Sequence, residues 1–196
     1  GEGEEKEDEF ERGEPYEDVI QPGPADWTRE RYDTRNTGVN TETSAATSGL
    51  SQDWSFESNL QITRVPAVAD GTVYVGSGRS ADDRGLFHAV NAEGGGENWS
   101  VETSDGVRVS PAVTSSTAYV STIGGDLVAL SLEDGFRRWR YDMDVASRGS
   151  PTVSDGIVYV GGGDGVVHAV GAYSGDARWT FETGLNSVTV PAVVDG

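Results

Sequence analysis

From Leu50 onward the chain alternates short apolar runs with polar punctuation, and no run exceeds a few residues. VADGTVYVGS, VTSSTAYVST and VSDGIVYVGG each place a turn before a β-branched, Tyr-containing run. They are followed in turn by GLFHAV, GDLVAL and GVVHAV. Gly or Asp-Gly interrupts the pattern too often for an amphipathic helix, so the elements predicted are strands throughout. Runs such as Ile157-Val158-Tyr159-Val160 are apolar at successive positions, not alternate ones. Successive side chains of a strand point to opposite faces, so these strands are expected to be covered on both sides.

The pattern then repeats in register. Trp54, Trp99, Trp139 and Trp179 stand 45, 40 and 40 residues apart. Pro66, Pro111, Pro151 and Pro191 follow at the same intervals, each 12 residues after its Trp. One unit reads as four strands: Pro-Ala-Val, then x-Val-Tyr-Val, then x-x-x-Ala-Val, then the strand bearing Trp. A period of about 40 residues with four strands per unit predicts an all-β fold, a β-propeller of four-stranded antiparallel blades. Three units are complete, over about 64–103, 108–143 and 148–184, with lone strands near 52–58 and 188–194. Propellers ordinarily close with about four to eight blades, so the ring is incomplete in this chain. An open arc exposes sheet edges and apolar blade faces. The expectation is a longer protein whose remaining blades complete the ring; the alternative is several chains closing one ring together.

Within each unit one spacing recurs: AVNAEGGGENW, ALSLEDGFRRW and AVGAYSGDARW. It places Ala89, Gly95 and Trp99, then Ala129, Gly135 and Trp139, then Ala169, Gly175 and Trp179, with Trp54 ahead of them. Asp134-Gly135 and Ser174-Gly175 read as hairpin-turn pairs in which Gly accepts positive φ. The small Ala leaves room beside the sheet for a large ring from elsewhere, and the Trp is that ring. Burying about 200 Å² of aromatic surface is worth roughly 5 kcal/mol gross, enough to join each blade to the next. The ten residues are read as structural.

The spacing resembles the tryptophan-docking motif of PQQ-type β-propellers, the family of the quinoprotein alcohol dehydrogenases and of BamB-like outer-membrane assembly lipoproteins. Ser110-Pro111-Ala112-Val113, the Asp-Gly-x-Val-Tyr-Val-Gly strands and Asp33-Thr34-Arg35-Asn36-Thr37-Gly38 after Trp27 are similar to the same family, over about 27–196. Asn91, Ser131 and Gly171 depart from the usual Asp, and Thr is missing before each Gly; each substitute tolerates a turn. WD-type and kelch propellers fit less well, since no Trp-Asp ends the units and kelch spacing is nearer 50 residues.

The resemblance raises an enzymatic alternative: a fragment of a PQQ-dependent quinoprotein dehydrogenase. It implies PQQ over a Trp, a nearby Ca²⁺, an Asp base and often a vicinal disulfide. The chain has no cysteine, and no stretch resembles the calcium and base region. No catalytic, cofactor-binding or metal-ligating residue is therefore assigned, and PQQ and calcium enter only under that alternative. His88 and His168 precede the motif Ala where Val128 stands in the second unit, which marks a packing slot. Asp164 and the pair Asp142 and Asp144 lack the length of a calcium loop and read as turn and surface residues. Gly161-Gly162-Gly163 lacks the Lys and helix of a phosphate loop. Arg137, Arg138 and Arg140 read as surface charge balance. The loop Gly78–Gly85 (GRSADDRG) carries the first unit's five extra residues and is the first place to seek a ligand or partner.

Charge narrows the partners. There are 33 acidic and 14 basic residues, for a net charge of −19, and Lys6 is the only lysine. Such a composition resembles proteins of extreme halophiles, haloarchaea above all, whose self-repulsion is screened by salt. Nucleic acid, which needs a basic footprint, is excluded as a partner. Residues 1–26 form an acidic, Gly/Pro-punctuated tail or linker with too few apolar groups to fold. No apolar run approaches the roughly 18 residues of a membrane span. The first residue is Gly, as in a processed or cropped product, with a membrane tether upstream of it as one expectation. The function expected is a non-catalytic binding or scaffold module with a protein partner, extracytoplasmic, secreted or membrane-anchored. A sensor domain of a membrane receptor is a further alternative.

Overall fold

The computed structural model describes residues 51–78, 84–188 and 191–193. Twelve strands form three four-stranded sheets. The first holds β1 (Ala67–Ala69), β2 (Thr72–Ser77), β3 (Gly85–Asn91) and β4 (Glu97–Thr103). The second holds β5 (Ala112–Val113), β6 (Thr117–Ser121), β7 (Asp126–Ser131) and β8 (Arg137–Asp142). The third holds β9 (Thr152–Ser154), β10 (Ile157–Gly161), β11 (Val166–Gly171) and β12 (Ala177–Glu182). Every pairing is antiparallel between sequence neighbours, so each sheet is a meander. The three sheets are consecutive propeller blades and coincide with the three repeat units. No helix occurs among the described residues.

The core lies between blades. Tyr74, Phe87 and Ala89 of the first blade pack with Ala118, Val120, Val128 and Leu130 of the second. Tyr119, Leu127 and Ala129 of the second pack with Val158, Val160 and Val170 of the third. The middle blade thus contributes alternate residues of β6 and β7 to two cores, which is why its strands read as apolar at successive positions.

Turn chemistry sets the registers. Asp70-Gly71 and Asp155-Gly156 both have positive φ (46° and 67°, 49° and 70°), the two-residue turn whose twist suits a hairpin. The connection before each Trp strand is longer than the hairpin pair the sequence predicts. The Ser131 N–H donates to the Phe136 carbonyl and the Gly135 N–H returns to the Ser131 carbonyl, so residues 132–135 form the loop. The first and third blades repeat this arrangement. A bulge follows in each blade, between Ala89 and Val90, Ala129 and Leu130, and Ala169 and Val170; it adds local twist to the outer strand.

Residues 51–60 form no strand, and the first ladder contact is the bridge between Ile62 and Ser77. The segment near 52–58 has no strand beside it among the described residues, and a ladder needs one. Of the segment 188–194, residues 191–193 are not in a strand. The segment is nonetheless tied in, with the Val188 N–H donating to the Gly162 carbonyl and the Thr152 hydroxyl to the Pro191 carbonyl. The acidic tail 1–26, Trp27 and residues 79–83 of the GRSADDRG loop lie outside the described residues.

Candidate functional site

The recurring Ala, Gly and Trp do not form one site. The Trp99 Nε1–H donates to the Leu132 carbonyl at 3.0 Å, and the Trp139 Nε1–H to the Ala172 carbonyl at 2.9 Å. The Trp54 Nε1–H donates to the Ala92 carbonyl at 2.8 Å. Each indole therefore reaches the β3–β4-type turn of the following blade, where the ring covers that turn's glycine. A Cβ at Gly95 would stand 2.7 Å from the Trp54 ring, one at Gly135 2.8 Å from the Trp99 ring, and one at Gly175 2.9 Å from the Trp139 ring. All three glycines also have φ between 70° and 75°, which L side chains rarely adopt. Trp179 has no following blade among the described residues and is 47% exposed.

The role of the Ala differs from the expectation of a ring arriving from elsewhere. Ala89 lies between Tyr74 and Trp99 in one row across the sheet, Ala129 between Tyr119 and Trp139, and Ala169 between Tyr159 and Trp179. Cross-strand neighbours share a face, so the small residue lets its own blade's two rings close over it. Their centroids are 6.1, 5.8 and 5.9 Å apart. In the second blade the Tyr119 hydroxyl also donates to the Ala172 carbonyl that receives Trp139.

Both histidines are buried, and each meets an aromatic ring edge-on. Phe56 stands 5.1 Å from His88 and Tyr141 5.8 Å from His168, both at 65°. These rings come two residues after Trp54 and Trp139, and in the remaining pair Val101 and Val128 line one cavity. His88 carries a polar set that sequence reading missed. Its Nδ1 lies 2.7 Å from Glu97 Oε1, and its Nε2 lies 3.0 Å from Ser58 Oγ and 3.1 Å from Ser77 Oγ. Donor, imidazole and carboxylate are in the order of a nucleophile relay. However, Ser77 is fully buried and donates to the Leu86 carbonyl, and the row is the one closed by Tyr141 in the third blade. The set joins the blade to the segment ahead of it. The three partners of His88 stand 30, 11 and 9 positions away along the chain, on different segments, and give no local signal of such a meeting.

His168 has one hydrogen-bond partner among the described residues. Burial raises the pKa of the Tyr141 phenol, which keeps it a donor, and it meets His168 Nδ1 at 3.1 Å. Nε2 is buried and has no partner among the described residues. Burial depresses the His168 pKa below 6.5, with Asp164 opposing it more weakly. The folded state therefore resists the proton that the unfolded chain takes up. Its contribution is complete above the ordinary imidazole value and is lost as pH falls from there through the depressed folded value. The variant Tyr141→Val/His168→Val copies the Val101–Val128 pair and should abolish this acid-side loss, seen as a flat denaturation midpoint between about pH 7 and 5. An unchanged pH profile would assign the loss to other groups.

The arginines separate. Arg140 bonds Asp126 at 2.7 Å, and Asp126 is buried, with its other oxygen taking the Ser104 hydroxyl at 2.7 Å. Arg140, itself half exposed, thus holds a buried carboxylate and does more than balance surface charge, whereas Arg138 reaches Ser116. Asp142 accepts the Asp144 N–H and Asp164 the Val166 N–H, both as turn residues.

Among the described residues no three His, Cys, Asp or Glu side chains are placed to hold a metal ion. No helix among them is long and apolar enough to cross a membrane.

Residues 44–195 match the family model described as outer membrane protein assembly factor BamB. No curated protein sequence matches the chain. Among solved structures, BamB from Moraxella catarrhalis is 25% identical with a TM-score of 0.52, over 59% of this chain and 35% of that one. A europium-containing methanol dehydrogenase is 22% identical with a TM-score of 0.65, over 81% and 32%. The quinohemoprotein alcohol dehydrogenase from Comamonas testosteroni is 23% identical with a TM-score of 0.62, over 80% and 27%. The two dehydrogenases share the fold, and the chain spans between 27% and 35% of the length of these three proteins. With the family match running through all three blades, this chain belongs to the BamB-type family of PQQ-like β-propeller repeat proteins.

Proposed function

We propose that the chain is a non-catalytic propeller module that binds protein outside the cytoplasm. The observation that carries this reading is where the repeated residues go. Trp54, Trp99 and Trp139, with Gly95, Gly135 and Gly175, join one blade to the next, and the rows at Ala89, Ala129 and Ala169 brace those joints. None of these repeated groups is left over for chemistry. Among the described residues nothing covers the same surface of the third blade, where Trp179 is 47%, Phe181 61% and Leu185 65% exposed. Such a face is a joining surface, for further blades or for a partner protein. The assembly role printed for BamB supports a protein partner and an extracytoplasmic setting.

Two measurements test the reading. Light scattering in molar KCl should find the chain self-associated through this face, and Trp179→Glu/Phe181→Glu should return it to a folded monomer. A stable monomer without the substitutions would overturn the joining role. Dye-linked alcohol oxidation after addition of PQQ and Ca²⁺ should show no turnover. Turnover would replace this reading with the dehydrogenase one.

A further inference from the structure

A second site stands apart from the joints. Arg64, Arg108 and Arg148 come just ahead of β1, β5 and β9, one in each unit, and all three line a single pocket of about 380 Å³. Ile123, Ser147 and Ser187 complete much of its wall, and among the described residues no carboxylate lines it. The three lead-in segments are tied together: Arg64 Nε donates to the Arg108 carbonyl at 3.0 Å, and the Ser110 N–H donates to Ser150 Oγ at 3.1 Å. The backbone under the pocket is fixed too, since Ser147 is buried and its hydroxyl bonds Ser121, while the Gly163 N–H donates to the Ala146 carbonyl.

The charge arrangement runs against the rest of the molecule. The chain has 33 acids and 14 bases, and elsewhere Arg84 and Arg140 have carboxylate partners. At this pocket, among the described residues, none of the three arginines pairs with a carboxylate. Three guanidinium groups around one cavity repel one another, and an anion between them reverses the sign of that interaction. Each guanidinium presents a fork that fits a carboxylate with two parallel hydrogen bonds. Alternate side chains of an extended peptide stand about 7 Å apart on one face, a spacing that brings several carboxylates to a cluster of forks. A long polyanion would also have to run along the surrounding acidic surface; a short acidic segment needs only to reach the pocket.

We propose that Arg64, Arg108 and Arg148 form a binding site for a short, carboxylate-rich peptide segment. The site is independent of whether the module is catalytic. The ligand chemistry has two sources: an acidic stretch of a separate protein, or the chain's own run Glu4-Glu5-Lys6-Glu7-Asp8-Glu9.

The test uses the full chain and a fluorescently labelled hexaglutamate peptide at low salt, read by anisotropy. The peptide should bind saturably, and Arg108→Gln and Arg148→Gln should each weaken it about tenfold, as expected for loss of one charge-assisted contact. Arg138→Gln, at an exposed arginine outside the pocket, should leave the affinity unchanged. Circular dichroism and the denaturation midpoint check that each variant is folded. Equal binding by a folded Arg108→Gln/Arg148→Gln variant would overturn the site, and displacement of the peptide by inorganic phosphate at equal concentration would overturn the peptide assignment. A chain carrying Glu4→Gln, Glu5→Gln, Glu7→Gln, Asp8→Asn and Glu9→Gln separates the sources. Tighter binding would mean that the native run competes in cis, and unchanged binding would assign the site to a separate partner.

Discussion

Trp139→Ala should lower folding stability by about 3–5 kcal/mol, the range for deleting a large packed aromatic side chain. The ring lies against Tyr119 of its own blade, covers Gly175 of the next, and donates to the Ala172 carbonyl. Trp179→Ala removes the same side chain from an exposed position and should cost less than about 1 kcal/mol. Denaturant titration of the two variants makes the comparison. A cycle with Gly175→Ala then isolates the joint itself. In the native background the new methyl meets both a φ of 73° and the Trp139 ring at 2.9 Å. In the Trp139→Ala background the ring contact is gone, and the backbone strain of about 1–2 kcal/mol remains with a 3.1 Å approach to the Cβ of residue 139. The two substitutions should therefore be strongly non-additive. Equal costs at Trp139 and Trp179, or simple additivity with Gly175, would remove the joint as the source of cohesion between blades.

The sequence and the structure meet where a feature is local and repeated. The strands were legible because Asp70-Gly71 and Asp155-Gly156 punctuate apolar runs with turns that permit few alternatives. Covering on both faces was legible from Ile157 to Val160 because period-two alternation is missing there. The Trp is readable as joining each blade to the next; what was not legible is which groups of the next unit it covers. Gly135 and Trp139 are neighbours in the motif, yet Gly135 lies under Trp99 and Trp139 reaches over Gly175. A periodic sequence specifies the spacing equally well for contacts within a unit and between units, so spacing alone does not decide. His88 illustrates a second blind spot. Its exchange for Val128 in the next unit marks it as a packing position, and it is buried, but its partners Ser58, Ser77 and Glu97 come from three other segments. Arg140 is the third. Only the fold shows that Asp126, at the start of β7, lies beside it, while Arg137 and Arg138 in the same run make no ion pair among the described residues.

Arg140→Met should be the costliest charge substitution in the described part of the chain, at about 2–4 kcal/mol. The reason is its partner: the Asp126 side chain is 6% exposed against 47% for Arg140. Removing the guanidinium leaves a buried carboxylate with only the Ser104 hydroxyl at its second oxygen. The Asp126 hydrogen bond and charge also raise the Arg140 pKa further, with Asp142 and Asp105 adding to it. The cation therefore persists at any pH at which the protein folds. Arg140→Met/Asp126→Asn removes the stranded charge and should recover most of the loss, since an amide keeps an acceptor for Ser104. Arg84 provides the contrast. It bonds Glu102 at a similar 2.8 Å, but the side chains are 77% and 63% exposed, so Arg84→Met should stay within about 0.5 kcal/mol of the parent. Salt separates the two pairs again. At molar ionic strength the screening length is about 3 Å, which erases what little the exposed pair contributes but screens less effectively a carboxylate that is only 6% exposed. The measurement is denaturant unfolding of the three variants at low and molar KCl. If Arg140→Met proves no worse than Arg84→Met, Asp126 is better solvated than its burial implies, and the pair adds nothing to the stability of the second blade.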